Sequence, residues 1–306
     1  MDRFGAEAKL RVAAIDIGTN TCLMLIVEHD PNKGVTILTD EHAIVRLGEN
    51  VDKSRKISDE AYARLSSTLT KYRSIINELQ VTDIATCGTS ALRDALNRDE
   101  ILARVKNDFD INVSIIEGSR EAELTYLGAT FDLPPADGLT AVIDIGGGST
   151  EIAFGKKTEY AFGRSIDVGA VRLTEQGLND TNSIESLLQT TFSDIETPLR
   201  VIAVAGTPTT LAAMKIGLME FDREKVNHCK LTFEEVNAYL DILTTQPPST
   251  ILEIYPVIPS GRVDILPAGT AILLEAMKFL KVEYVSVSTG GLRYGIALDA
   301  LSTLSG

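Results

Sequence analysis

The sequence predicts an α/β protein of two domains, each built on a mixed sheet, with a ligand cleft between them. An apolar strand, a turn of three glycines and a second strand follow one another over residues 141–155. A second copy of this unit lies at 12–27, where Asp16 takes the place of Asp144, 128 residues earlier. That spacing is too long for a solenoid repeat and indicates a duplicated domain. Hairpin-linked strands before the first helix predict the antiparallel opening of a mixed sheet.

The composition is that of a globular protein that binds neither nucleic acid nor membranes. The chain has 306 residues, 44% of them hydrophobic and 24% charged, which is enough for two cores. A net charge of −14 is opposite to the basic surface of nucleic-acid binders. The first ten residues contain no apolar signal region, and no apolar run is as long as a membrane span. Three cysteines without CxxC spacing favour a reduced, cytoplasmic location.

The first half begins with three predicted strands, at 11–17, 22–29 and 35–47, and a polar loop at 48–56. Ser58 caps a helix with one apolar face. The next elements are a strand at 81–87, a helix from Ala91 and a strand at 111–116. Arg93 lies in the first turn of that second helix, where the dipole disfavours a cation. It is either a ligand-binding group or a solvated arginine paired with Asp94 or Glu100.

Glu121 lies in the first turn of the helix that follows the turn at 117–119. A carboxylate at this position commonly caps the helix, so spacing alone leaves a structural and a functional role open. A linker with two prolines then covers 132–138. We expect an amino-terminal domain at 1–130 and a carboxy-terminal domain at 131–306, with the last helix, about 292–306, packed back on the first domain.

The second half repeats the opening of the first and adds more helices. A third strand is predicted at 159–168, and a helical region at 170–176. A strand at 201–205 leads to Gly206 and Thr207 before a helix at 211–219, an arrangement that favours anions. The remaining predicted elements are a helix capped by Thr232, a proline-rich loop over 247–259, a helix at 267–280, a strand at 284–288 and a closing helix from 292.

The two glycine turns suit a phosphate accompanied by a divalent cation. Glycines let backbone N–H groups approach an anion closely, and two carboxylates, Asp144 and Glu151, flank the second turn. For one such turn the alternative is a glycine-rich hairpin with two solvated acids. A second turn at 18–21 favours a ligand held between the two.

The order of motifs resembles the Ppx/GppA family of exopolyphosphatases and guanosine pentaphosphate phosphohydrolases, within the actin-like ATPase superfamily. The resemblance implies two ribonuclease H-like (actin-like ATPase) domains with mixed sheets and an interdomain cleft. It covers most of the chain in the short, two-domain form. The segments that carry it are AIDIGTNT (14–21), VRLGE (45–49), GTSALRDALN (88–97), IIEGSREAELTYLG (115–128), AVIDIGGGSTEIAFG (141–155), DVGAVRLTE (167–175) and DILPAGTAIL (264–273).

The resemblance also implies functional residues. Glu121 matches the catalytic glutamate, and Asp144 and Glu151 match the acids that hold a divalent ion, with Asp16 as a further contact. Mg²⁺ is the expected ion, other divalent ions are alternatives, and K⁺ is a further candidate. The expected phosphate-binding residues, which include the turn backbone and the start of the 211–219 helix, are Gly18, Thr19, Asn20, Thr21, Arg93, Gly146, Gly147, Gly148, Ser149, Gly206 and Thr207.

Three departures from the family pattern are visible. AGTPTT (205–210) replaces the more usual double glycine. Arg120 stands where a second glutamate is common, and we expect it, with the helix dipole, to lower the pKa of Glu121. Residues 287–295, VSTGGLRYG, lack the acid common in the family's last motif. Candidate residues for lining a polyphosphate path are Arg46, Lys53, Arg55, Arg93, Arg172, Arg262 and Arg293.

The expected reaction is hydrolysis of the terminal phosphate of inorganic polyphosphate, with short chains cleaved at least as well as long ones. The chain is short and acidic, whereas a long polyanion needs an extended basic channel. Guanosine pentaphosphate (pppGpp) hydrolysis uses the same chemistry and is the first alternative. An actin-like-fold kinase and a non-catalytic sensor of a phosphorylated ligand are the others. Expected partners are polyphosphate or pppGpp and a second copy of the chain in a homodimer, with no nucleic acid or membrane.

Overall fold

Two mixed sheets, each with helices packed against it, form the structure. This computed structural model describes residues 9–156, 158–177, 181–192 and 195–305. The first eight residues, on which the predicted absence of a signal region partly depends, lie outside that part. The strands of the first sheet are β1 (Leu10–Ile17), β2 (Thr21–Asp30), β3 (Gly34–Ile44), β4 (Asp83–Gly88) and β5 (Ser114–Ile115). Those of the second are β6 (Leu139–Ile145), β7 (Thr150–Lys156), β8 (Glu159–Ile166), β9 (Arg200–Val204), β10 (Lys230–Thr232) and β11 (Tyr284–Val287).

The two sheets have the same core topology. The first has the order β3-β2-β1-β4-β5, and the second has β8-β7-β6-β9-β11 with β10 added at the edge. In each, an antiparallel three-stranded meander continues into parallel strands. The predicted mixed α/β class is therefore confirmed, and the duplication seen in the sequence extends to strand pairing.

Helices cover the sheet faces and carry much of the site. In chain order they are α1 (Val51–Ser54), α2 (Asp59–Glu78), α3 (Ser90–Asp94), α4 (Arg98–Phe109), α5 (Gly118–Thr130), α6 (Ala170–Glu175), α7 (Thr181–Thr191), α8 (Gly206–Lys215), α9 (Arg223–Val226), α10 (Phe233–Thr245), α11 (Pro248–Ile254), α12 (Leu266–Leu280) and α13 (Leu292–Ser305). As predicted, Ser58 caps α2 and Thr232 caps α10 through a full capping box.

Several predicted boundaries are wrong, and prolines explain two of them. Helix α8 begins at Gly206 rather than at 211, because Pro208 in its first turn needs no N–H donor there. Helix α11 lies within the predicted loop at 247–259 for the same reason, with Pro248 at its first position. In the first half, α1 replaces part of the predicted loop at 48–56.

Other boundaries shift because backbone groups find different partners. Strand β3 ends at Ile44, since the next two N–H groups bond to the Asn20 carbonyl oxygen instead of to a strand. The helix predicted from Ala91 is divided into α3 and α4. Strand β5 keeps two of the six residues predicted at 111–116.

Helix α5 lies between the two sheets. Its Leu124 packs in an apolar cluster with β1, β2 and α13, and its Tyr126 packs in another with β6, β7 and β9. Helix α13 approaches α5 closely at glycines. A Cβ on Gly128 would lie 2.1 Å from the Gly291 carbonyl oxygen, and one on Gly295 would lie 1.8 Å from the Leu124 oxygen. The helix that carries Glu121 is therefore fixed on both sides.

A helix that spans a membrane is long and predominantly apolar. Over residues 9–156, 158–177, 181–192 and 195–305, no helix is both long enough and apolar enough to cross a bilayer.

Candidate active site

The two repeated hairpins close with the same turn. The Gly18 N–H donates to the Thr21 carbonyl oxygen at 2.9 Å, and the Gly146 N–H donates to that of Ser149 at 3.0 Å. Each turn glycine follows its aspartate, Asp16 or Asp144, by two residues. The two hairpins, 128 residues apart, therefore share a hydrogen-bonding pattern as well as a sequence pattern.

The carbonyl groups of both turns are occupied from outside. Thr19 and Asn20 oxygens accept bonds from backbone N–H groups of segment 45–48. Gly146 and Gly147 oxygens accept bonds from the first N–H groups of α6. Because N–H and C=O point in opposite directions along a peptide, carbonyl groups bonded from outside favour N–H groups that face the space between the loops, where an anion would be bound.

The turns touch each other at glycines. A Cβ on Gly147 would lie 2.9 Å from the Thr19 Cβ and 3.2 Å from the Asn20 nitrogen. One on Gly148 would lie 2.3 Å from the Ser90 hydroxyl. None of the three glycines at 146–148 has a left-handed φ, so close approach rather than conformation requires them. The structure thus brings together the predicted residues 18–21 and 146–149.

Four carboxylates lie beside the turns, and all are buried. Asp16 and Asp144 are 9% exposed, Glu121 is 7% and Glu151 is 1% exposed. Asp144 and Glu151 are directly paired across β6 and β7. Glu121 comes from the first turn of α5, as predicted, and not from either hairpin.

Burial and mutual repulsion dominate the electrostatics of this cluster. Burial, and then the Glu121 charge, raise the pKa of Asp144 to about 7. The pKa values of Asp16 and Glu151 lie well above their ordinary values, first through burial and then through Glu121 and Asp144. Four acids this close are unfavourable as anions unless protons or a cation compensate them.

Arg93 connects Glu121 to the second turn. Its guanidinium donates to Glu121 Oε2 at 2.6 Å, to the Ile116 carbonyl oxygen at 2.8 Å and to Ser149 Oγ at 3.4 Å. The alternative of a solvated arginine paired with Asp94 or Glu100 is wrong, because the side chain is 16% exposed and contacts Glu121.

The expectation that Arg120 lowers the pKa of Glu121 is also wrong. Arg120 turns away and pairs with Glu123 at 2.8 Å and Asp299 at 2.6 Å. The pKa of Glu121 is raised by burial, while Arg93 opposes this shift. A raised pKa makes the carboxylate a better proton acceptor at neutral pH.

Gly206 and Thr207 lie at the same end of the second sheet as the glycine turn, because β9 pairs with β6 through Val204 and Asp144. The residue against Gly206 is Arg262, whose Nη1 would lie 1.2 Å from a Cβ at that position. Burial lowers the pKa of Arg262 to about 10, and its Nε has no hydrogen-bond partner among the described residues. This cation faces the start of α8, where an anion would compensate it.

Three other arginines of the predicted polyphosphate path are already paired with acids. Arg172 donates to the Gly148 carbonyl oxygen at 2.8 Å, to Asp94 at 2.6 Å and also to Asp52. Arg46 pairs with Asp264 at 2.6 Å. Arg293 makes two bonds to Asp40, at 2.7 and 2.9 Å. These pairs connect distant parts of the chain and leave fewer free cations for a long polyanion than the sequence indicated.

The oxygen donors present fit a small divalent cation. Glu151 Oε2 and Asp16 Oδ1 are buried without a hydrogen-bond partner in the described part of the chain. No group of three or more His, Cys, Asp or Glu among the described residues could by itself hold a metal ion. Mg²⁺ commonly uses one or two carboxylates and takes its other ligands from water and phosphate, which agrees with both observations.

Sequence analysis did not identify two hydroxyl groups that contact the acids. Thr125 donates to Asp144 at 3.2 Å, and Ser165 donates to Glu151 at 2.6 Å. Thr125 could have been found from its spacing, since it lies one helical turn after Glu121. Ser165 lies on a third strand, and no local pattern connects it to the site.

Known proteins resemble this chain over nearly its whole length. A bifunctional 3-dehydroquinate synthase/phosphatase of Fusobacterium nucleatum is 30% identical over 94% of this chain, which spans only 46% of that relative. Exopolyphosphatase 2 of Mycobacterium tuberculosis is 30% identical over 95% of this chain and 99% of its own length. A guanosine-5'-triphosphate,3'-diphosphate pyrophosphatase of Vibrio atlanticus is 26% identical over 94% of this chain and 58% of its own length.

Solved structures agree with the fold. An exopolyphosphatase from Cytophaga hutchinsonii superposes with a TM-score of 0.86 at 28% identity, covering 96% of this chain and 98% of its own. A Ppx/GppA family member from Aquifex aeolicus gives a TM-score of 0.81 at 26% identity, covering 98% and 100%. The predicted ribonuclease H-like (actin-like) fold is confirmed by these likenesses. Since the family model also matches residues 25–304, the chain belongs to the Ppx/GppA phosphatase family.

Proposed function

We propose that this chain is an exopolyphosphatase, which hydrolyses the terminal phosphate of inorganic polyphosphate. The position of Glu121 carries the proposal. Its carboxylate is buried, bonded to Arg93 at 2.6 Å, and connected through Arg93 to the turn at Ser149. A carboxylate beside a phosphate-binding turn can orient and deprotonate an attacking water. The name and matching length of the mycobacterial relative support polyphosphate as the substrate.

Binding of the terminal phosphate is assigned to the two turns and Arg93. Backbone N–H groups at 19–21 and 147–149 surround the anion, and Arg93 contributes a positive charge. These donors are already in place before the reaction, so they stabilise the charge dispersed over the transferred phosphoryl group. The expected N–H contacts of Gly18 and Gly146 are left out, because both groups are bonded within their own turns. Gly206 and Thr207, with Arg262, are assigned to the next phosphates of the chain.

The chemical step is an in-line displacement. Glu121 accepts a proton from water as the water oxygen bonds to the terminal phosphorus. The bond from that phosphorus to the bridging oxygen breaks, and the shortened polyphosphate leaves with the electron pair. Phosphate and polyphosphate shorter by one unit are the products, and the proton on Glu121 returns to solvent.

Mg²⁺ is the proposed ion, held by Asp144 and Glu151 with Asp16 near. When bound, it supplies positive charge that offsets the phosphate oxygens and the acid cluster. We propose K⁺ only as an accessory ion. Short polyphosphates are the proposed preferred substrates, because Arg46, Arg172 and Arg293 are neutralised by acids.

Hydrolysis of pppGpp is the second candidate, favoured by the Vibrio relative named for guanosine-5'-triphosphate,3'-diphosphate. Both substrates end in the same phosphoanhydride, so the same acid and turns serve either. We also propose a domain boundary near residue 130, a homodimer and a cytoplasmic location. The three free thiols agree with a reducing compartment, and sedimentation would test the dimer.

Phosphate release, measured colorimetrically, tests the function. The purified chain is incubated with polyphosphates of graded length and with pppGpp, with and without Mg²⁺. We expect Mg²⁺-dependent release from polyphosphate, fastest with short chains, and slower by about 10²–10⁴-fold in the Glu121→Gln variant. Release from pppGpp alone would replace the first candidate by the second.

Two further outcomes would exclude hydrolysis. ATP consumption that requires an acceptor and yields no free phosphate would indicate a kinase. Binding of polyphosphate without release, unchanged in Glu121→Gln, would indicate a non-catalytic sensor.

A further inference from the structure

Two hydroxyl groups each hold one oxygen of an acid beside the glycine turn. Thr125 Oγ1 donates to Asp144 Oδ2 at 3.2 Å. Ser165 Oγ donates to Glu151 Oε1 at 2.6 Å. The two donors come from different elements, α5 and β8, whereas the two acids face each other across β6 and β7.

The hydrogen bond of Thr125 is unusual for a threonine inside a helix. Such a hydroxyl commonly bonds to the carbonyl oxygen four residues earlier, as Thr130 does with Tyr126 at 2.8 Å. Thr125 is 1% exposed and instead reaches out of α5 to a strand of the second sheet. A buried side-chain bond of this kind fixes the rotamer of both partners.

Ser165 is held in position by the start of α5. A Cβ on Gly118 would lie 2.3 Å from the Ser165 Cβ, so only glycine lets the helix approach the strand at this point. The same first turn carries Glu121 three residues later. The placement of Ser165 and of Glu121 therefore depends on one contact between α5 and β8.

Each hydroxyl engages one oxygen of its acid, and the other oxygen of Glu151 is uncommitted. Glu151 Oε2 is buried and has no hydrogen-bond partner among the described residues. A buried carboxylate oxygen without a partner is costly unless a ligand satisfies it. Oxygen is the donor that Mg²⁺ requires, and two carboxylates are the number that it commonly uses.

We propose that Thr125 and Ser165 are positioning residues, which fix the carboxylates of Asp144 and Glu151 so that their second oxygens face one divalent cation. The proposal rests on the proposed function for the presence of that cation. Partners that orient metal ligands in this way typically alter metal affinity by about 10–100-fold when removed. The two hydroxyls do not touch substrate, so they act through the acids alone.

The test is a calorimetric titration of the full chain with Mg²⁺, without substrate. We expect Thr125→Val and Ser165→Ala each to raise the Mg²⁺ dissociation constant by about tenfold. Thr130→Val is the matched control, because it removes a buried hydroxyl of the same helix that bonds only within that helix. Thr125→Ser retains the hydroxyl and is expected to keep native affinity, and thermal melting verifies that each variant is folded.

Activity gives a second measurement. In the two variants we expect saturating Mg²⁺ to restore kcat, since affinity for the ion is what is lost. Mg²⁺ affinities within twofold of the wild-type value in both Thr125→Val and Ser165→Ala would overturn the proposal. So would a wild-type chain that binds no Mg²⁺, or an equal loss in Thr130→Val. Mg²⁺ binding with the expected losses but no phosphate release would support the positioning role and contradict only the proposed function.

Discussion

The two glycine turns have the same backbone but different side chains, and the difference separates their roles. Both close with one N–H to carbonyl bond, and in both two further carbonyl groups accept backbone bonds from outside the turn. The first turn has Thr19 where the second has Gly147, and the Thr19 side chain occupies the space that Gly147 leaves. Opposite Asp144 lies Glu151, whereas opposite Asp16 lies Leu23. Only the second hairpin presents a pair of acids.

This asymmetry indicates how a duplicated unit acquires a site. Backbone N–H groups can be supplied by either copy because they depend on the turn alone. An ion site needs side chains of one type at neighbouring positions, and one copy suffices. The proposed base, Glu121, belongs to neither hairpin but to α5, which contacts both sheets.

The largest expected effect tests whether the group that activates the water lies outside both hairpins, on α5. Glu121→Gln should lower kcat by about 10²–10⁴-fold, because an amide cannot accept the proton of the attacking water. Polyphosphate affinity should change little, since the turns and Arg93 remain. Single-turnover hydrolysis and equilibrium binding measure the two quantities. An unchanged kcat would show that the base lies elsewhere.

The next prediction compares the two hairpins directly. Glu151→Gln should lower kcat/KM at fixed, subsaturating Mg²⁺ by about 10²-fold, corresponding to a loss of several kcal/mol of ion stabilisation. Asp16→Asn, in the hairpin without a second acid, should lower kcat/KM by about tenfold for the same reason. Steady-state phosphate release over a range of Mg²⁺ concentrations measures both. Equal losses would contradict the assignment of the ion to the second hairpin.

A third prediction concerns the contact between the turns. Gly147→Ala places a methyl group 2.9 Å from Thr19 Cβ, so we expect a loss of about 1–3 kcal/mol in the free energy of unfolding. Its KM for polyphosphate should also rise as the turns separate. Gly18→Ala is the control, because that Cβ meets only atoms of its own hairpin, the nearest being the Thr21 carbonyl oxygen at 3.1 Å. Urea unfolding measures the free energy of unfolding of both variants. A smaller loss for Gly147→Ala than for Gly18→Ala would mean that the two turns move apart freely.

The smallest effect is a pH dependence of stability. Burial and the Glu121 charge raise the pKa of Asp144 to about 7 in the folded state, from an ordinary value of 3.8. The folded protein therefore binds more protons between these values, and without Mg²⁺ its free energy of unfolding should fall as pH rises. Asp144→Asn should reduce this slope, and urea titrations from about pH 4 to pH 7 compare the variants. Identical slopes would show that the Asp144 carboxyl is not perturbed by burial.

The sequence predicted most of the strands and helices, because the patterns that indicate them lie within short segments. A strand, a glycine turn and a strand repeat at 128 residues, and the apolar spacing of α2 is regular. The start of α8 at Gly206 and the presence of α11 were missed, because prolines that usually mark loops also begin helices.

The site was predicted less completely, and the reason is distance along the chain. The acids at 16, 144 and 151 follow from the turns, but Ser165 reaches the site from a strand with no motif of its own. The direction of Arg120 depends on Asp299, which follows it by 179 residues and belongs to the last helix. A contact of that kind has no local signature.

The closing helix has a consequence for how the protein is made. Leu292, Ile296 and Leu301 of α13 cover one face of β1 and β2, more than 260 residues away in sequence. A ribosome that has delivered the whole first sheet has therefore not yet delivered the helix that buries that face. Until α13 has been synthesised, Val12, Leu25 and their neighbours lack the part of their cover that this helix supplies, and exposed apolar strands favour aggregation. The amino-terminal sheet is therefore synthesised well before the helix that covers this face.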